Sequence, residues 1–140
     1  MKDDPMEEFM VSGNAPVEDR FSIGADDKKR EFYIKFSPIV MAHIQERKRK
    51  LIAGLSKQEL ERLSEDRAAQ AILADRVQDE LAVEHILEMG IVDKDGTVKK
   101  RKVSSEEISG DGDKVLSGVL ALTATQHVMA YGVPGVELKK

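Results

Sequence analysis

DRAAQAILADRVQDELAVEHILEMG, residues 66–90, is the longest run of helical composition in the chain, and it carries its own stop signal. Ala68, Ala69, Ala71, Ala74 and Ala82 are strong helix formers. Leu73, Val77 and Leu81 recur every fourth residue, while Ile72, Val83, Ile86 and Leu87 widen the apolar arc. Gly90 is suited to the left-handed conformation that ends helices. The pattern predicts one helix from Asp66 to Gly90, the core element of the fold. Arg76, Glu80 and Glu84 fall at four-residue steps in or beside the arc. A charged side chain so placed must pair, reach solvent at a groove, or meet a partner.

Upstream of this stretch, Val17, Asp19, Phe21 and Ile23 alternate with Glu18, Arg20 and Ser22, and Phe32, Ile34 and Phe36 alternate with Tyr33 and Lys35. Period two with a polar turn at 24–30 predicts an antiparallel hairpin with one apolar face. Ser37-Pro38 then suits a helix start, with Ser37 as cap and Pro38 in the first turn; Gly54 ends that helix after Ala53. Ser56-Lys57-Gln58-Glu59 has capping-box spacing and opens a second helix.

Downstream, Asp95-Gly96 between β-leaning segments predicts a second, short hairpin, and Ser104-Ser105-Glu106-Glu107 a brief helical turn. Gly110-Asp111-Gly112-Asp113 is a flexible break, with Asp113 placed to cap a last helix from Lys114 to about Tyr131. The fold class expected is mainly α: a helical bundle with a small N-terminal β-hairpin and a short second hairpin. One domain spans 17–132, between a flexible acidic arm at 1–16 and a flexible C-terminal tail at 133–140.

Composition agrees with one domain. The chain has 140 residues, 34% charged and 4% aromatic, with no Trp, which favours an aliphatic core. A formal charge of −4 gives no global attraction to phosphate backbones. The absence of Cys excludes disulfides, thiolate metal sites and cysteine nucleophiles, and is compatible with a reducing cytoplasm. The acidic N-terminus lacks a secretory h-region, and no apolar run reaches membrane-spanning length, so no membrane association is expected.

No stretch fixes a chemistry. Asp93-Lys94-Asp95-Gly96 resembles the start of a calcium loop, but its glycine falls fourth rather than sixth, and Ser104 stands where a bidentate Glu is needed. Glu84, His85 and Glu88 lie close enough on one helix to share a metal or a proton, yet a solvated His between carboxylates is the commoner outcome. No serine sits in a nucleophile elbow. No enzyme activity, cofactor or metal is expected. Two basic clusters remain, Arg47-Lys48-Arg49-Lys50 and Lys99-Lys100-Arg101-Lys102. The first complements a helix C-terminus without any ligand. The second, on a hairpin arm, could touch phosphate or an acidic protein, although few aromatics stand nearby to stack bases.

The order of these elements carries a resemblance. A β-leaning segment ending in FYIKFSP, two helices, an Ala-rich helix closing at HILEMGIVDKDG, a polar insert and a last helix VLSGVLALTATQHV resemble the tail assembly chaperones of long-tailed bacteriophages, over Phe21 to Met129. The resemblance implies a non-catalytic morphogenesis factor in the host cell cytoplasm that binds the tape measure protein, recruits tail tube subunits, and is absent from the mature virion. The job requires a groove with an apolar floor and polar rim. Arg76, Val77, Glu80, Leu81 and Glu84 are the candidate protein-binding residues, and self-association into a ring is compatible. The family commonly makes a longer product by frameshifting near the gene's end, and Lys139-Lys140 suits an A-rich slippery codon run. Two other classes stay open: a nucleic-acid-binding regulator using residues 47–50 and 99–102, although nucleic acid is not the favoured partner, and a structural connector of the virion.

Overall fold

Val17–Ile23 (β1) and Arg30–Phe36 (β2) form the expected hairpin, in register from Val17 opposite Phe36 to Ile23 opposite Arg30. Phe21, Ile34 and Phe36 turn to one face and are buried; Glu18, Arg20 and Lys35 occupy the other. The computed structural model describes residues 5–7, 10 and 15–131. Most of the arm at 1–16 and the whole tail at 133–140 lie outside the described residues.

Three helices follow: Met41–Ala53 (α1), Lys57–Glu65 (α2) and Arg67–His85 (α3). Ser56 and Glu59 make both bonds of the capping box that opens α2, at 3.1 and 2.9 Å. Asp66 opens α3 by accepting from the N–H groups of Ala68 and Ala69. Ser37 is not the cap of α1. Val40 holds that position, and Pro38 is fully buried in the connection before it.

The helix predicted to reach Gly90 ends at His85. Ile86–Val92 is a strand (β3) paired antiparallel with β2, and Val98–Lys102 (β4) pairs with β3 across the Asp95-Gly96 turn. The two hairpins are therefore one antiparallel sheet in the order β1-β2-β3-β4. The expectation of a mainly helical bundle with two small hairpins is overturned: the fold is mixed α/β, a four-stranded antiparallel sheet with helices. The cause is backbone pairing. Placed beside β2, residues 86–92 exchange ladder hydrogen bonds and put Ile86 and Met89 into the core, which a continued helix would not do. Gly90 is not a helix stop but a strand residue opposite Tyr33 and Lys100.

Both edges of the sheet are guarded. β4 carries Lys99, Lys100, Arg101 and Lys102, and on β1 the Asp19 carboxylate accepts the N–H of Arg20 at 2.8 Å. Charge at an edge opposes pairing with another chain, and this accounts for the second basic cluster without a ligand.

Ser105–Ser109 (α4) and Gly118–Ala130 (α5) complete the described fold. The last helix starts later than expected, with Ser117 rather than Asp113 at its cap. Ala82 of α3, Ile108 of α4, and Ala124 and Val128 of α5 close over Phe21, Ile34, Phe36, Ile86 and Met89 to form the core. His127 of α5 reaches Asp19 of β1 at 3.0 Å and lies 5.6 Å from the Phe21 ring. In contrast, α1 and α2 have no fully buried side chain. They lean on α3 as a helical arm beyond the sheet.

Candidate functional site

The three charged residues of the α3 seam are brought together, but by a fourth residue from the first basic cluster. Arg76 bonds Glu80 at 2.8 Å, Arg47 of α1 bonds Glu80 at 2.9 Å, and its second guanidinium nitrogen bonds Glu84. The Arg76 hydrogen bond, helped by Arg47, holds the Glu80 carboxyl below its usual range. The Glu84 hydrogen bond raises the Arg47 pKa further. This network clamps α1 to α3. Val77 and Leu81, the expected apolar floor, are 1% and 4% exposed and belong to the packed interior. In this conformation they offer nothing to a partner.

The groove lies one helix face away. α5 is apolar around most of its circumference, from Val119 to Ala130, and a helix of that kind has more apolar surface than a single packed face can cover. Ala124 and Val128 go into the core, whereas Val119 and Leu122 are left 63% and 58% exposed, with Val115 just ahead of them also exposed. Between this stripe and α3 runs a groove of ≈ 580 Å³ with Val83, Ile108, Ala121 and Leu122 as its apolar lining. Asp79, Glu80 and Glu84 give its α3 wall a polar rim, in which Glu80 and Glu84 are paired with Arg47 and Arg76. Of the candidate residues, Glu80 and Glu84 line this groove. Asp79, Ala121 and Leu122 also line it and are not among the residues singled out from the sequence, although the unbroken apolar run VLAL at 119–122 was the available signal.

No family model, curated protein or solved structure matches the chain.

The remaining candidates are taken up by the fold. Arg49 and Lys50 pair with Glu46, Lys99 with Asp93 and Arg101 with Glu107, and the Lys100 ammonium lies 5.0 Å from the Tyr33 ring centroid. Within the two basic clusters, only Lys48 and Lys102 make no such contact. Clusters whose cations are mostly engaged with the chain's own carboxylates present a weak field to phosphate. The Asp93–Gly96 loop is a plain turn: Gly96 adopts φ 89° and Asp95 accepts the N–H of Thr97 at 2.9 Å. Glu84, His85 and Glu88 do not converge, since Glu84 is held by Arg47 and His85 bonds the Ser37 carbonyl. No cluster of three potential metal ligands occurs among the described residues. No described helix is long and apolar enough to cross a membrane.

Beside the groove, α4 is pinned by Glu107, which accepts from Arg101 at 2.8 Å and from the Ser104 N–H at 2.9 Å. The Arg101 bond and the Ser104 N–H bring its pKa from 4.5 down to about 2. A depressed carboxyl stabilises the fold above its unfolded value and loses that contribution as pH falls through its folded value. The capping box of α4 is therefore expected to hold from neutral pH to well below 4.5 and to open as pH approaches about 2. Carboxyl carbon shifts followed by NMR should place the Glu107 midpoint near 2 in the native chain and move it upward in Arg101→Ala.

Proposed function

We propose that this chain is a non-catalytic tail assembly chaperone of a long-tailed bacteriophage, holding helices of the tape measure protein and bringing tail tube subunits to them in the host cytoplasm. The observation that carries the reading is the groove between α3 and α5, with an apolar lining and a polar rim, bordered by the exposed side chains of Val119 and Leu122, the second of which also lines it. Such a surface suits an amphipathic helix held with modest affinity and then released.

Co-expression with the tape measure protein tests it. The native chain should keep that protein in the soluble fraction and co-elute with it. Because Val119 and Leu122 are exposed, the double variant Val119→Asp, Leu122→Asp should fold normally and weaken the complex by about tenfold or more. Failure of the native chain to co-elute, or unchanged binding by the folded variant, overturns the reading. Mass spectrometry of purified virions separates a chaperone, which is absent from the particle, from a structural connector.

A further inference from the structure

The joint between the helical arm and the sheet is built on two histidines in contact. Ser37, the first residue past β2, donates its N–H to the His85 carbonyl at 2.9 Å, and its own carbonyl lies 2.9 Å from His85 Nδ1. Three residues later, Val40 begins α1 with no side-chain acceptor of its own. The place that Glu59 and Glu107 hold in the other two capping boxes is taken here by His43, whose Nδ1 accepts the Val40 N–H at 3.3 Å. The two imidazole rings meet edge to face with centroids 4.8 Å apart.

These bonds assign the protons. A ring nitrogen that accepts from a backbone N–H carries no hydrogen, so His43 is neutral with its proton on Nε2. A ring nitrogen bonded to a carbonyl oxygen must donate, so His85 carries its proton on Nδ1. We propose that His43 and His85 form a proton-sensitive joint, in which protonation of His43 opens the first turn of α1 and loosens the arm from the sheet. A proton on His43 Nδ1 sets a donor against the Val40 N–H and removes the cap. His85 can take a proton on Nε2 without losing its bond to the Ser37 carbonyl. A charged His85 then faces a charged His43 across touching rings.

The charged groups around the joint do not cancel this. On α1, Arg47 stands one turn beyond His43 and adds positive charge, but it is committed to Glu80 and Glu84 of α3. Glu46 is engaged by Arg49 and Lys50. On the sheet, Lys35 of β2 and Glu88 of β3 lie opposite each other near the joint. The caps of α2, α3 and α4 use hydroxyl and carboxylate oxygens as acceptors. An imidazole acceptor that a proton can remove is found at the start of α1 alone among the described helix starts. α1 has no fully buried side chain, so this joint and Arg47 add to the half-buried contacts of Ile44, Leu51 and Ile52 in holding it.

Long-range imidazole NMR and amide exchange on the full chain test the joint. Near pH 8 the spectrum should give the Nε2–H tautomer for His43 and the Nδ1–H tautomer for His85. On acidification to about pH 5, exchange protection of the Val40 amide, corrected for intrinsic rate, should fall about fivefold, the loss of one cap. His43→Glu restores a carboxylate box and should abolish that fall. An Nδ1–H tautomer for His43 near pH 8, which needs no variant to observe, overturns the proposal. So does an equal loss of protection in His43→Glu. Neither result bears on the groove between α3 and α5, so the test stands apart from the functional reading.

Discussion

Gly90→Asn should destabilise the chain by about 3 kcal/mol and lower its melting temperature by about 10 °C. A Cβ at this position would stand 2.3 Å from the Lys99 carbonyl oxygen, 2.7 Å from Lys100 Cα and 2.9 Å from Lys100 Cβ. Two of these three neighbours are backbone atoms of the paired strand β4, so relief requires the strand to move rather than a side chain to rotate. Moving β4 also disturbs the Lys100 contact with Tyr33 and the Arg101–Glu107 bond that pins α4. Asn is the informative substitution. As a left-handed helix stop, position 90 would tolerate it at little cost, whereas as a strand residue under β4 it cannot. Thermal melts by circular dichroism give the magnitude, and hydrogen exchange should show residues 98–102 losing protection first. Gly96→Ala serves as the contrast. A Cβ there meets nothing within 4 Å, and only the φ of 89° opposes it, a cost of about 1 kcal/mol.

Why position 90 reads as a helix stop in the sequence has a physical answer. Between Lys35 and Phe36 the pairing with β3 shifts, so that Lys35 faces Glu88 while Phe36 faces Ile86, and Leu87 is the extra residue. The bulge breaks period two. Ile86 and Met89 both enter the core, three residues apart, which is a spacing that helices also produce. Following a genuine helix with no intervening turn residue, HILEMG continues its apparent phase, and nothing local marks the change at His85. Local chemistry is legible where it is self-contained: the box at Ser56–Glu59, the brief helical turn that starts at Ser104, the Asp95-Gly96 turn and the alternation of β1 and β2 all stand in the structure. What depends on distant partners is not. The Arg47 clamp on Glu80 and Glu84 joins positions more than thirty residues apart, and the groove lies between α3 and α5 rather than over Val77 and Leu81, which are buried.

Phe36→Ala should cost about 4 kcal/mol, a large share of the 5–15 kcal/mol that holds a domain of this size. Phe36 is fully buried at the end of β2, opposite Ile86. Its ring meets Tyr131 edge-on at 5.2 Å and His127 at 6.0 Å, so it seats the C-terminal half of α5 on the sheet. Truncation leaves a void bounded by two backbone-paired strands, whose relaxation is limited. Phe36→Leu, which fills most of that volume, should recover more than half of the loss. The pair of variants also separates folding from recognition. Because α5 is one wall of the groove, Phe36→Ala should reduce partner capture in proportion to the unfolded fraction, and lowering the temperature should restore it. Val119→Asp with Leu122→Asp alters exposed side chains, so its binding defect should persist at every temperature while the melting curve stays that of the native chain. A groove that functions through its apolar stripe predicts this divergence; a chain whose capture of partners merely reflects general stickiness predicts that both variants track stability alike.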